Sequence, residues 1–537
     1  MQTKHLGWML LALVSLVSCN QRPRSNSVFY MNINTEPSGL NPAKSTDGAA
    51  SSVQGYIVET LLGRNINTWE FTPKLAVKWK ISDDKTKFTF WLRENVKWHD
   101  GVLFTAEDVE FSFTNTFNVK RWKNADKQQI YENIKSVKAV GKFKVEVEVK
   151  EAIYSNFDLI VEELSIIPKH FYDKKEKKSY FNKHLIGTGP YKLEKWHRGN
   201  RIVLVKNKDW WGKDDDYFQG KFNFPKMVLR WVADSTVSIE MLKKGKLDFQ
   251  GMRAEDYQKK TKGPMWGKSV HRVKMKNNSP KSYCFIGMNF KDPILKNRNI
   301  RKALFHLLNR KLMIQKFENS MSVPAIGPIF PKSPYASIDL KPVKFNPKKA
   351  LAMLKKEGWK DSNGDGLLDK NGKKMSFTIL EPGSAYVKYH TIFKEDARKV
   401  GVEILIKQIE WNSFLKLVTQ DKNFQMCRLC WGATSLDWDP KQIWHSDSII
   451  SGSNFISYKN KIVDKNTDLA IKEFDRSKRI ELLRKVEKEI VNDVPYLFYT
   501  FQDSSFYGHS DRVLKEKDTF KYGAGVSSWK FKESKKE

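Results

Sequence analysis

The chain reads as an α/β protein of more than one domain, and three observations carry that expectation. At 537 residues it exceeds what one ordinary hydrophobic core organises, so two or three domains are expected. Apolar residues make up 40% of it, enough to bury large cores and to exclude wholesale disorder. Short alternating stretches are interspersed with amphipathic ones, with no internal repeat or low-complexity linker between them.

Taken in order, Val28 to Asn34 alternates as a strand, and Phe88-Thr89-Phe90-Trp91-Leu92 reads as another. Thr105 opens a helix: its hydroxyl is placed to cap the amide of Asp108, and Phe104 to staple against Val109. Ile300, Ala303, Leu304, Leu307 and Leu308 form the apolar stripe of a second helix. Asn346-Pro347 opens a third, with Ala350, Leu351 and Leu354 on one face and Gly358 at its end. Asp475 begins a fourth, carrying Ile480, Leu483, Val486 and Ile490, and Pro495 ends it before a strand from Tyr496 to Phe501. These stripes are core faces, not cofactor boxes.

The net charge is +34, but the positive residues are dispersed, with no dense arm and no zinc-finger spacing. That pattern argues against nucleic acid as a partner and fits a solvated Lys-rich surface near an anionic membrane. Lys4 and His5 precede an apolar run from Leu6 to Val17, too short to span a bilayer. Leu16-Val17-Ser18-Cys19 resembles the bacterial lipobox, so residues 1–18 are read as a lipoprotein signal peptide and Cys19 as the lipidated residue. Asn20 stands where an Asp would favour inner-membrane retention, which leans toward outer-membrane sorting in a cell with two membranes.

The remaining cysteines are Cys284, Cys427 and Cys430. Cys427-Arg428-Leu429-Cys430 has redox-pair or half-zinc-site spacing, but it lies in an apolar run from Phe424 to Trp431 that looks like a strand. Buried structural thiols are expected there. Catalytic motifs are missing: there is no HExxH and no GxSxG. Gly263 to Ser269 is one residue short of a phosphate loop, and Ser82 to Lys85 matches SxxK only by letters, in a polar turn. Asp361, Asn363, Asp365 and Asp369 are spaced like a calcium loop, but Gly372 stands where an EF-hand has its bidentate Glu. No enzyme activity, no cofactor and no functional metal are expected; an ion in that loop would be structural.

Several motifs in one order carry a resemblance. Glu36 to Pro42 opens the set, followed by Glu59-Thr60-Leu61-Leu62, Pro73-Lys74-Leu75-Ala76 and Trp79. Trp98-His99-Asp100-Gly101 with Thr105 to Val109 comes next, then Gly187-Thr188-Gly189-Pro190-Tyr191 and Trp210-Trp211-Gly212. Lys244 to Asp248, Arg301-Lys302-Ala303 and Asn309-Arg310 complete it. The chain resembles the family 5 extracellular solute-binding receptors, which serve ABC importers of peptides, oligopeptides and nickel. The resemblance implies a two-lobed periplasmic-binding-protein fold with mixed sheets, a hinge and an extra inserted domain. Lobe I would comprise residues 19–68, 186–278 and 500–537, the inserted domain II 69–185, and lobe III 279–499. The hinge would be crossed near Met275–Ser279 and near Tyr499–Gln502.

The resemblance also implies a monomeric receptor at the cell-envelope exterior that closes on a ligand and delivers it to permease subunits. Peptide is the first ligand expected; an oligosaccharide, an opine or a nickel chelate is the alternative cargo, and a tethered sensor without transport is the alternative role. Relatives neutralise the peptide's amino terminus with an acidic residue after a Trp. Here the matching stretch is Trp431 to Pro440, about two residues longer than in those receptors. Counting from Trp431 puts Thr434 at the anchor and counting from Pro440 puts Leu436 there, so Asp437 is the nearest substitute and Asp439 the second. Trp431, Gly432 and Trp438 are candidates to line the cleft. Asp47 to Ser51 matches a strand facing the ligand backbone, and the small Gly48, Ala49 and Ala50 would permit close approach.

Overall fold

The computed structural model describes residues 26–45, 47–116, 131–174, 178–279, 281–432, 435–502, 504–515 and 520–533. The signal segment and Cys19 lie outside the described residues, as does Thr434. Three sheets organise the rest. The largest has seven strands in the order Val270–Met275, Ser505–Ser510, Phe249–Met252, Val28–Asn32, Lys226–Arg230, Arg201–Lys206 and Tyr191–His197. It is mixed: Val28–Asn32 runs parallel to both of its neighbours, and the outer pairings are antiparallel. Phe29, Leu204 and Leu229 are fully buried in the cluster beneath it.

A four-stranded antiparallel sheet is built from Ala76–Ile81, Lys87–Leu92, Lys144–Val149 and Ile134–Ala139. The alternation read in Phe88 to Leu92 is real: Phe88, Phe90 and Leu92 point into one core with Val145, Val147 and Val149. The helix Ala106–Thr116 packs on that core, with Phe104 and Val109 both buried. Its entry is closed from the carboxylate side, because Asp108 Oδ2 accepts the Thr105 amide at 3.0 Å.

The third sheet has five strands, Glu403–Gln408, Ser376–Glu381, Met426–Trp431, Tyr283–Met288 and Tyr496–Phe498. Its covering helices begin where capping chemistry places them. Asn297 caps Arg298–Leu307, Asn346 caps Pro347–Lys356 and Asp475 caps Arg476–Asp493. The stripe Ile300, Ala303, Leu304 and Leu307 is buried, and Gly358 leaves its helix at φ +83°.

The chain passes between the seven- and five-stranded sheets twice, from Val270–Met275 to Tyr283–Met288 and from Tyr496–Phe498 to Ser505–Ser510. The strand expected from Tyr496 to Phe501 is broken at Tyr499 for this reason. Tyr496–Phe498 belongs to the five-stranded sheet, whereas Thr500–Gln502 pairs with Ser322–Pro324.

Two further expectations are corrected. Asp47 to Ser51 is not a strand: Gly48–Gln54 is a helix, capped by Asp47, whose side chain accepts the Ala50 amide at 2.8 Å. Ala49 and Ala50 face the core, and Gly48 stands exposed at the first turn. The cysteines are not all thiols either. Cys284 and Cys430 sit directly opposite each other in adjacent antiparallel strands and form a disulfide. Cys427 is a buried free thiol, since residues three apart on a strand face opposite sides.

Candidate functional site

The motif residues converge first on a joint between the large sheet and the four-stranded sheet. Glu59, nearly buried, accepts Thr188 Oγ1 at 2.8 Å and Trp211 Nε1 at 2.7 Å, and burial raises its carboxyl above the usual carboxylate value. Gly187 and Gly189 press against the Ile57 carbonyl, where an added Cβ would stand 1.8 Å and 2.8 Å from its oxygen. His99 bridges the same turn, with Nε2 on Gly189 O at 3.0 Å and Nδ1 accepting Gly187 N at 3.3 Å. Desolvation lowers its pKa to about 4, so the ring is neutral. These contacts are architectural, tying the large sheet to the four-stranded sheet.

Two cavities open along the seams of the five-stranded sheet. The first, about 440 Å³, lies between the two large units beside their crossings. Arg253, Glu255 and Ser505 contribute from the large-sheet side. Glu318, Tyr386, Lys388 and Tyr389 face them, with Lys281, Cys284, Thr500 and Gln502 at the back. The second, about 490 Å³, separates the four-stranded-sheet unit from the loop that follows Met426–Trp431. Its walls are Tyr154, Ser155, Asp158 and Glu162 on one side and Ser435, Asp437, Asp439 and Lys441 on the other.

The second cavity is acidic although the whole chain is basic. Asp437 accepts the Tyr335 hydroxyl, and its amide donates to Ser435 Oγ at 3.1 Å. Asp439 accepts the Lys441 amide at 2.9 Å as a turn cap, and Ser155 Oγ reaches its other oxygen at 3.5 Å. Asp439 stays accessible from the cavity, yet desolvation by the walls raises its carboxyl. Across the seam, Asp158 pairs with Arg64 at 2.7 Å. Burial lifts Asp158 to about 6, with Arg64 opposing and the like charges of Asp437 and Glu162 adding. Tyr154 bridges the walls by donating to the Trp438 carbonyl at 3.1 Å.

Of the aromatic candidates, Trp431 is half-buried and packs on Phe285 and Phe455, with Nε1 toward the Tyr496 hydroxyl at 3.4 Å. Trp438 is half-buried against two core clusters. Gly432 is exposed just beyond the strand. The structure therefore brings Asp437 and Asp439 together, leaves Trp431 and Trp438 as partial core, and removes Ala49 and Ala50 to the core. In the calcium-like loop the oxygens serve the loop itself: Asp361 accepts Gly364 N and Gly366 N at 2.8 and 2.9 Å. Asp365 binds Lys374 at 2.6 Å and also meets Asn363, while Asp369 holds Ser362.

Bacterial extracellular solute-binding proteins, family 5 Middle, is the family model that matches, over residues 70–448. The chain belongs to that family. Oligopeptide-binding protein AppA of Bacillus subtilis (strain 168) is 28% identical over 483 residues, covering 87% of this chain and 85% of AppA. The structure of AppA from Bacillus subtilis in complex with a nonapeptide aligns with a TM-score of 0.82 at 26% identity, covering 94% of this chain and 99% of that one. NikZ from Campylobacter jejuni in complex with Ni(L-His) aligns with a TM-score of 0.80 at 23% identity, covering 94% and 100%. The fold is thus the two-lobed periplasmic-binding-protein fold. In this family 5 protein the seven- and five-stranded sheets lie on either side of the hinge crossings.

Sequence reasoning missed most of the first cavity, and behind its Tyr386 wall a buried charge network that does not line it. Glu381 is fully buried and accepts His390 Nε2 at 2.8 Å and the Arg428 guanidinium, with Nε at 2.9 Å. Tyr499 completes the chain to His390 Nδ1 at 2.8 Å. Desolvation opposes the ionised Glu381, but Arg428 and His390 hold its carboxyl below the usual value. The one available signal was an Arg inside the apolar run Phe424 to Trp431, where an unpaired charge is costly.

Proposed function

We propose that this family 5 protein is the substrate-binding lipoprotein of an ABC importer, binding peptides between its lobes and delivering them to membrane permease subunits. The observation that carries the reading is the charge of the two cavities. One seam gathers Asp158, Asp437 and Asp439, suited to an ammonium, and the hinge-side cavity presents both signs, Arg253, Lys281 and Lys388 with Glu255 and Glu318. An extended ligand with a charged amino end and a polar backbone matches such a pair. The likeness to AppA supports peptide over other cargo. Asp437 is the first amino-terminal anchor in this reading and Asp439 the second; Trp431, Gly432, Thr434 and Trp438 are its further candidate ligand-binding residues.

The lobe division belongs to the same reading: 19–68, 186–278 and 500–537 as lobe I, 69–185 as domain II and 279–499 as lobe III. So do the removal of residues 1–18, a lipid on Cys19, and a monomer tethered at the envelope exterior. Closure would move polar contacts into a drier site where each is stronger, and the ligand's preference for the closed state would drive it. The test is small-angle scattering and thermal unfolding with defined peptide pools. Compaction together with a raised midpoint is expected. If no pool changes either, peptide specificity is wrong, and native mass spectrometry of the purified protein then identifies the cargo. Partitioning of wild type and Cys19→Ala into detergent should differ if the anchor is correct.

A further inference from the structure

Glu318 follows the helix Arg310–Phe317, and its amide donates to Ile314 O at 3.0 Å, which turns its side chain toward the hinge-side cavity. The residue is 6% exposed. Oε1 accepts two hydrogen bonds, from Tyr389 Oη at 3.0 Å and Thr500 Oγ1 at 3.0 Å. Oε2 is buried and has no hydrogen-bond partner among the described residues. Of the three cations that the described residues bring to the cavity wall, Lys388 pairs with Glu255, Lys281 donates to Asn277 Oδ1 at 3.1 Å and Ser279 Oγ at 2.9 Å, and Arg253 forms no ion pair with Glu318. A buried carboxylate with two neutral donors and one unserved oxygen lacks both a donor and a countercharge.

A ligand cation with N–H donors supplies both at once. The surrounding surface suits the stem of such a group, since Phe317, Tyr386 and Tyr389 line the same cavity. Those ring faces already accept an ammonium: Lys388 Nζ lies 4.8 Å from the Phe317 centroid and 5.9 Å from that of Tyr389. We infer that this cavity is a side-chain subsite for a basic residue of the bound peptide, with Glu318 as its specificity-determining residue. The inference rests on the peptide reading above. The acidic seam at Asp437 is a separate place and takes no part in it.

The experiment compares peptides differing only by Lys against norleucine at each position in turn, on wild type, Glu318→Gln and Glu318→Asp. Wild type should favour the Lys form at one position by about tenfold or more, as for one charge-assisted hydrogen bond in a dry site. Glu318→Gln keeps an acceptor for Tyr389 and Thr500 but should lose that preference, with norleucine peptides unaffected. Glu318→Asp, which keeps the charge, should restore part of it. Peptide binding with the same Lys-to-norleucine ratio in wild type and Glu318→Gln overturns the subsite, Oε2 then being served by water alone, and leaves the peptide reading standing. If no peptide binds wild type, the peptide reading fails instead, and ethylguanidinium against neutral ethylurea is the probe. Stabilisation of wild type by the cation only, absent in Glu318→Gln, sustains the subsite for another cargo; equal responses overturn it.

Discussion

Tyr335 donates its phenolic hydrogen to Asp437, and Arg479 donates in turn to the Tyr335 oxygen at 3.3 Å. The carboxylate that the loop length leaves nearest the anchor position is thus oriented from behind by a buried tyrosine. An enclosed ligand ammonium needs a countercharge, and removing one partner of such a pair costs about 2–5 kcal/mol. Asp437→Asn should weaken binding of free-amine peptides by that amount and barely alter their acetylated forms. Calorimetry on both proteins and both peptide forms gives the coupling energy directly. A coupling near zero makes Asp437 a turn residue and moves the role to Asp439.

Asp158 gives the same seam a pH dependence. Its carboxyl stands at about 6, raised first by burial and also by Asp437 and Glu162, with Arg64 opposing. A cation bound in the seam favours the ionised form, so binding expels the proton that Asp158 carries below its pKa. Affinity for free-amine peptides should therefore rise from pH 5 to pH 7, by roughly tenfold, since one pKa unit is about 1.4 kcal/mol. Titrations in buffers of different ionisation enthalpy should register proton release near pH 6. A flat profile would place the ammonium away from Asp158.

The glycine joint should be unforgiving. An alanine at Gly187 would put its Cβ 1.8 Å from the Ile57 oxygen, so backbone must shift and the Thr188–Glu59 contact with it. Gly187→Ala is expected to cost about 3 kcal/mol or more, in the range where strain and a broken buried bond combine. Gly48→Ala is the control: nothing lies within 4 Å of its Cβ, and it sits in a helix. That change should be neutral or stabilise by up to about 1 kcal/mol. The urea midpoint should fall for Gly187→Ala and hold or rise for Gly48→Ala.

Reducing the Cys284–Cys430 bond should lower stability without changing the fold. The bridge spans 146 residues of sequence, and chain entropy sets an upper limit of about 5 kcal/mol for a loop of that size. Less is expected, because the two residues are already partners in a hydrogen-bonded ladder. Unfolding with and without reductant measures it. Cys427 should stay unreactive toward thiol reagents in the native protein, since it is buried and burial pushes its thiol far up.

Legibility followed the range of the interaction. Asn346, Asp475 and the stripe from Ile300 were readable because caps and periodicity act within a few residues. The motif set placed the fold, yet the reason for Gly187 and Gly189 was invisible, since Ile57 lies far away in sequence. The strand that the family resemblance implies for Asp47 to Ser51 is a helix instead; so short a run of small residues has no period to test that match, and Asp47 as a cap is the usable local signal. Strand alternation alone separates Cys427 from Cys430, but the partner of Cys430, 146 residues away, could not be inferred. Glu318 carries no sequence mark at all. Its meaning comes from Tyr389 and Thr500, brought to it by two other segments.

The paired passages of the chain between the two large sheets have a mechanical meaning. A single connecting segment would act as a swivel and permit twist as well as bend. Two segments that leave adjacent strands of the five-stranded sheet, where the Tyr499 amide donates to the Cys284 carbonyl at 3.1 Å, define an axis and leave chiefly one rotational degree of freedom. Displacement then grows linearly with distance from that axis. Side chains beside it, such as Glu318 and Thr500, keep their separation through the whole rotation, whereas those at the far rim sweep the longest arc. Selection near the axis can operate before the lobes meet, and the rim only reports that they have.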